Sequence, residues 1–382
     1  MRLPHLIPIA RAPLAAFAAM GVLWGSFAAA LPDLKTMLDV DETRLGLLLF
    51  TTPLAAVLAM LAAPAVGARL GRVALPLATL AMAVAFALPG QASALWMFPL
   101  AMLCCGAATG LTDVLMNARV AALENRHALH LMNLCHAAYS FGYAAGAAGT
   151  GLMRDAAWSP GWVLGSMAAV AACLALLTPE RDGTIDGLAR PKDRKAGRLG
   201  LVPVIGGGMV LIAFLTENAA ENWSALHIEK TLGGSPGHGA MGPALMALTM
   251  GAARLVGQRI AGRINPVWLL TGGAAVSATG ALIAAGAVSP VMAYAGFVVM
   301  GIGSSVISPT AFSLVGQRAA PEARARAVAR ATLLGYFGYF FGPPLLGFVA
   351  GHLGLRMAFV FAAAMLMAVP LLARLLNGNR RG

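Results

Sequence analysis

Phe141-Gly142-Tyr143-x-x-Gly146, set inside a long apolar stretch, returns 196 positions later as Phe337-Gly338-Tyr339-x-x-Gly342. An earlier pair repeats in the same way. Val66-Gly67-Ala68-Arg69-Leu70-Gly71-Arg72 is echoed at a spacing of 190, with one residue inserted, by Val256-Gly257-Gln258-Arg259-Ile260-Ala261-Gly262-Arg263. Repetition at half the chain length predicts two homologous halves rather than a short-period solenoid. Two membrane halves facing each other suit a substrate pathway between them.

Composition supports the membrane reading. Hydrophobic residues make up 59% of the chain and charged residues 11%, against about 25% charged in a soluble domain. A mean hydropathy of +0.77 over 382 residues leaves apolar surface that must face lipid. The net charge of +12 does not point to nucleic acid, because the basic residues alternate by loop and form no single patch. Cys104, Cys105, Cys135 and Cys173 all lie in apolar runs, where cysteine behaves as a small hydrophobe. Their spacing suits neither a disulfide scaffold nor a metal site. No nucleophile–base pair or phosphate loop is present, so an enzyme is not expected and no cofactor is implied.

Stretches of about 20 apolar residues are candidate membrane helices. Twelve occur, at roughly 12–32, 45–66, 73–90, 94–118, 131–153, 158–177, 201–222, 239–258, 267–287, 290–314, 328–351 and 355–376. Arg11, the first apolar run and Ala28-Ala29-Ala30 have the outline of a signal peptide. That run is nonetheless long enough to span, and its removal would break the count of twelve. Polar, Pro/Gly-punctuated residues 178–200 read as a linker between an N-terminal half, 1–177, and a C-terminal half, 201–382. With both termini inside, inner segments hold 22 Lys and Arg. Outer segments hold five: Lys35, Arg44, Arg154, Lys230 and Arg356. That asymmetry predicts cytoplasmic termini.

Ionisable groups within the spans are candidate functional residues, because an unpaired charge in the bilayer is costly. Asp113 and Asn117 share one face of the fourth span at i,i+4, and His136 lies in the fifth. Glu217 and Glu221 share a face of the seventh, with Asn218, Asn222 and Trp223 beside them, and Arg254 lies in the eighth. At a rise of ~1.5 Å per residue, Glu217 is expected roughly 24 Å from the inner end of its span and Glu221 about 6 Å further out. Asp113 is expected some 28 Å from the outer end of its own. The acids therefore read as an inner group and an outer group.

Asp113 is expected to pair with Arg69, Arg72 or Arg119 as an inner latch, with His136 hydrogen-bonded to Asp113 or Asn117. Direct proton or substrate contact is the other reading of Asp113. Arg254, Arg259 and Arg263 would be the partner set of the second half. Two carboxylates one turn apart repel when both are ionised, so Glu217 or Glu221 suits proton coupling. Solvation of Glu221 at the water interface is the plainer alternative. Trp223 is expected as an interfacial anchor, with a place in the proton or substrate pathway, beside Glu217, Glu221 and Asn222, as the alternative.

Twelve spans in two related halves with a basic inner linker resemble the major facilitator superfamily over essentially the whole chain. That resemblance implies an all-α membrane fold of two pseudo-symmetric six-helix halves, a cavity lined by spans one, four, seven and ten, and alternating access. The family's loop signature, Gly-x-x-x-Asp-Arg-x-Gly-Arg, is kept at Arg69-Leu70-Gly71-Arg72, but Ala68 stands where its Asp belongs. Asp113-Val114-x-Met116-Asn117, Met132-x-x-x-His136-x-x-x-Ser140 and Glu217…Asn222-Trp223-Ser224 resemble the branch of MosC-like proteins and fucose permeases. Relatives have Asp where Asn222 stands, which would move any coupling to Glu221 or Glu217.

The expected function is proton-coupled transport of a small sugar- or polyol-like solute across a bacterial inner membrane, by a chain that needs no second copy. Its partners are the solute, protons and the lipid bilayer. Proton-driven efflux of drugs or metabolites is the alternative, though the Gly-Pro motif of drug antiporters is missing from the fifth span. A non-transporting receptor is the remote one.

Overall fold

The computed structural model describes residues 3–127, 129, 131–183, 185, 199–261, 264–320 and 323–378. Fourteen α-helices occur among them: α1 (Leu3–Leu38), α2 (Glu42–Leu49), α3 (Thr51–Leu70), α4 (Ala74–Ala87), α5 (Met97–His127), α6 (Met132–Asp155), α7 (Pro160–Ala175), α8 (Val202–Leu226), α9 (Pro236–Ala261), α10 (Pro266–Ala285), α11 (Pro290–Arg318), α12 (Arg324–Leu353), α13 (Leu355–Leu366) and α14 (Val369–Gly378). With α2 running on into α3 and α13 into α14, they make twelve rods. Nine segments of the described residues are long and apolar enough to cross a membrane on their own.

Local chemistry sets the helix ends. Pro160, Pro266 and Pro290 sit at the first turns of α7, α10 and α11, where a missing N–H leaves nothing unpaired. Asp41, Asn265 and Ser289 accept hydrogen bonds from the first-turn amides of α2, α10 and α11. Gly354, at φ 90°, ends α12 in a conformation that side-chain-bearing residues avoid.

Helices α1–α7 pack as one group and α8–α14 as another, and the repeated glycine motif builds the equivalent pair in each. A Cβ added at Gly142 would lie 2.5 Å from the Ala18 carbonyl of α1, and one at the equivalent Gly338 would lie 2.3 Å from the Leu211 carbonyl of α8. Helices α6 and α12 therefore rest backbone to backbone on α1 and α8. Bare backbone is how lipid-embedded helices approach closely, since no hydrophobic force drives them together. Between the groups, α6 meets α9 and α2 meets α12.

Candidate functional site

A cavity of about 320 Å³ lies between the two groups of helices. Its walls come from faces whose spacing is helical. Phe17, Met20, Trp24 and Phe27 project from α1, and Thr109, Asp113 and Met116 from α5. Thr52, Pro53, Ala56 and Met60 come from α3, and His136 and Tyr139 from α6. Across from them stand Glu217, Asn218, Glu221 and Asn222 of α8, Met250 and Arg254 of α9, and Tyr336, Tyr339 and Pro343 of α12. The expectation of spans one, four, seven and ten needs correction. Helix α11, the tenth span, contributes no lining residue, whereas α3, α6, α9 and α12 do.

The expected separation of the acids into inner and outer groups also needs correction. Tyr336 donates to Asp113 Oδ2 at 3.5 Å, and Tyr339 donates to Glu217 Oε2 at 3.2 Å. The two tyrosine rings are 6.4 Å apart on one face of α12, so the acids border a single space. Helix length explains the difference. Helix α5 has 31 residues, about 46 Å at ~1.5 Å per residue, well beyond a hydrocarbon core of about 30 Å. Its last turns overshoot the membrane, and Asp113 falls near mid-helix.

Asp113 makes no ion pair with Arg69, Arg72 or Arg119. Its Oδ1 accepts from Asn117 Nδ2 at 3.1 Å. Arg119 donates to Glu180 at 2.8 Å, Arg126 pairs with Asp182, and Arg11 donates to the Pro179 carbonyl. Arg72 borders a groove formed with Pro179, Glu180 and Arg181. Arginines of this end are thus taken up by residues 179–182 rather than by Asp113, because those residues lie directly under the ends of α1 and α5. Arg69 is exposed.

His136 makes no hydrogen bond among the described residues and packs edge-on against Phe17 at 5.0 Å. Arg254, expected at the inner gate, instead faces Glu217 Oε1 at 3.8 Å inside the cavity. The side chain of Arg259, and Arg263 altogether, lie outside the described residues.

Phe214, one turn before Glu217, stacks on Tyr339 with ring centroids 4.6 Å apart and so fixes the phenol that reaches Glu217. Tyr339→Phe should lower transport about tenfold or less while leaving the fold intact, because it removes one neutral hydrogen bond to the acid. Initial rates of solute uptake against expressed, folded protein would check this. Glu221 is half-buried and has neither hydrogen bond nor ion pair to a described residue. It lines the cavity. Trp223 is neither an interfacial anchor nor a cavity residue: it is fully buried, pressed beside Gly347 of α12. The i,i+4 face that carries Glu217 and Glu221 necessarily turns position 223 the other way.

The cluster that sequence reasoning missed is centred on Arg154. Its side chain is 1% exposed and spans both groups of helices. Nε and Nη2 donate to Asp33 at 2.7 and 2.6 Å, and Nη1 and Nη2 donate to Glu229 at 2.7 and 3.0 Å. Nη1 also donates to the Ala29 carbonyl at 2.7 Å. Asp33 and Arg154 belong to α1 and α6. Glu229 belongs to a π-helical turn, His227–Thr231, that continues α8 and brings the acid to face α6. Nearby, Asp155 accepts from the Gly237 amide at 2.9 Å, again across the groups. Each of these acids lies at the end of an apolar run, so in sequence each reads as solvated. Their meeting is a tertiary fact.

Residues 205–381 match the family model described as Major Facilitator Superfamily. An uncharacterised MFS-type transporter of Yersinia pestis is 30% identical over 364 residues, spanning 94% of this chain and 93% of the relative. The chain belongs to the major facilitator superfamily. Membrane protein MosC of Rhizobium meliloti is 25% identical over 371 residues, 95% of this chain and 88% of that protein. Among solved structures of the fold, a bacterial homologue of the lysosomal transporter Spinster, in an inward-facing and occupied conformation, superposes with TM-score 0.77 at 14% identity. It covers 99% of this chain, which covers 98% of it. A D323A mutant of the nucleoside transporter NupG gives TM-score 0.78 at 14% identity, over 96% and 99%. As a superfamily member, the chain is a multi-pass membrane transporter of small molecules and not an enzyme.

Proposed function

We propose that this transporter is proton-coupled, that it carries a small organic solute, and that Glu217 and Glu221 are its coupling groups. The observation that carries the reading is the cavity-facing cluster of Glu217, Tyr339 and Arg254. It is an acid 3% exposed, with one oxygen held by a phenol and a guanidinium 3.8 Å from the other. A carboxylate in that position is stable when paired with Arg254 or when protonated, and costly when bare. Loss of the proton therefore requires Arg254 or a solute to move in, which is the linkage a coupled carrier needs. Asp113 and Asn117, with His136, border the same space and would shape the solute site.

In this reading both termini and the linker, residues 178–200, lie on the cytoplasmic side of a bacterial inner membrane, as the arginine distribution favours. The end bearing Arg154 then faces outward and is shut, and the halves rock about the fixed cavity. One copy suffices.

Two solute classes fit this scheme. Asn218, Asn222 and the tyrosine hydroxyls suit a sugar or polyol. The aromatic and methionine walls favour the second class, an amphiphilic drug or metabolite moved against protons. Liposomes holding a pH-sensitive dye separate them. Acidification on adding a sugar-like solute outside, lost in Glu217→Gln, supports symport. Proton movement in the opposite sense, with permanently charged cationic drugs, supports efflux. Silence from every solute with binding retained, and a Glu217→Gln variant that binds normally, would mean a receptor and overturn the proposal.

A further inference from the structure

We propose that the cavity selects a positively charged amine carried on an aromatic or other apolar body, with Glu221 as the partner of its charge. The inference deepens the reading of the cavity as a transport site and rests on it.

Charge comes first. Three carboxylates, Asp113, Glu217 and Glu221, border the space, against one arginine among its lining residues. Arg254 stands beside Glu217, and Asp113 is held by Asn117 and Tyr336. Glu221 is left with no cation and no donor among the described residues, one turn along α8 from Glu217. A bare carboxylate between apolar walls calls for a cation or a proton.

Hydrogen bonding gives a second, independent indication. Glu217 and Asn218 are 3% and 5% exposed, and both border the cavity. Glu217 Oε1 and Asn218 Oδ1 have no hydrogen-bond donor among the described residues. Such buried acceptors are rarely left empty. Asn218 Oδ1 lies against Gly342 of α12, which leaves Glu217 Oε1, beside Arg254, as the acceptor that an ammonium N–H suits.

The walls define the rest of the molecule. Opposite the polar face of α8 stand Phe17, Met20, Trp24 and Met60. Aromatic faces attract cations held against them, and methionine adapts to bodies of varied shape. A polyol would satisfy the acceptors but would strand its hydroxyls against these walls. An anion would meet three carboxylates.

A cation and a proton would compete for Glu221. The titratable and charged groups facing it are Glu217 on its own helix, Arg254 on α9, Tyr139 and Tyr143 on α6, and Tyr339 on α12. Binding of the amine to the protonated site would release the proton from Glu221 to water, and the reverse exchange would expel the amine.

The test is calorimetric binding of matched probes to the purified full-length protein: 2-(1-naphthyl)ethylamine, 2-(1-naphthyl)ethanol, 1-naphthylacetate and sorbitol. The amine should bind at least tenfold more tightly than the alcohol, with the carboxylate and sorbitol weaker still. Glu221→Gln should remove that preference by weakening the amine alone, and Glu221→Asp should restore most of it. Equal binding of amine and alcohol, or an unchanged preference in Glu221→Gln, overturns the inference. Tightest binding of sorbitol overturns it too, while leaving the transport reading in place. Amine binding that depends on Glu221, without proton movement in the liposome assay, upholds the inference and removes proton coupling instead.

Discussion

Arg154→Met will abolish transport and leave the Arg154-bearing end of the protein open. Arg154 is buried, gives two donors each to Asp33 and Glu229, and joins helices of both groups. Removing it leaves two facing carboxylates with no counter-charge, and breaking a buried pair from one side is destabilising by about 3–5 kcal/mol. Asp33 is a third exposed, so water offsets part of this and the lower figure is the better guide. About 3 kcal/mol is still more than a hundredfold in the balance between closed and open forms. The readout is maleimide labelling of a cysteine placed at Ala240, which is fully buried against Gly151 in the seam between α6 and α9. With the four native cysteines replaced, labelling from the Arg154 end should rise at least tenfold in Arg154→Met. Arg154→Lys should restore little, because an ammonium cannot offer two paired donors to each acid. Labelling equal to that of the parent would show that other contacts keep this end shut.

Gly46→Val is expected to stop transport as completely, by a different route. A Cβ at Gly46 would lie 2.4 Å from the Pro343 carbonyl and 3.2 Å from Gly347 Cα, so α2 and α12 touch backbone to backbone. Those helices belong to different groups, and a branched side chain there props the seam open without entering the packing of either. Purified yield and thermal stability should stay close to those of the parent, while uptake falls at least a hundredfold and labelling at Ala240 rises. Gly106→Val makes the useful contrast. Its Cβ would meet the Thr52 carbonyl at 2.0 Å inside one group, between α5 and α3, and the expected result is loss of folded protein. Gly165→Val, facing open space, should do nothing. Normal transport by Gly46→Val would mean that the cycle does not need the α2–α12 contact.

The architecture was legible because lipid imposes a one-dimensional rule. Every span must be apolar for about twenty residues, and the glycine repeat shows how the spans pair. Residues on one helix face were legible for the same reason, which is why Glu217, Glu221 and Asn222 do border one cavity. Relations between helices were not. Depth counted from hydropathy put Asp113 and Glu217 at opposite ends, because hydropathy ends where charges begin while α5 and α8 continue. Arg154 looked like one more basic residue in an outer loop. Only the fold brings Asp33, 121 positions away, and Glu229, 75 positions away, to the same guanidinium. Trp223 misled because an aromatic near a span end is usually interfacial, and here the helix runs on for another turn.

The paired glycine motifs have a consequence for how alike the two copies are. Gly142, Gly146 and Gly338 each lie against a partner backbone, and Gly342 lies against the Asn218 side chain, so a side chain at any of the four would meet a neighbour. The tyrosine between them has no such shared setting. In the first copy Tyr143 is buried and its hydroxyl has no hydrogen-bond partner among the described residues. In the second, Tyr339 donates to Glu217, an acid that lines the cavity. One motif position thus has two surroundings, packed interior in one half and a cavity-lining acid in the other. A substitution at position 143 therefore changes packing, and one at 339 removes a hydrogen bond to Glu217.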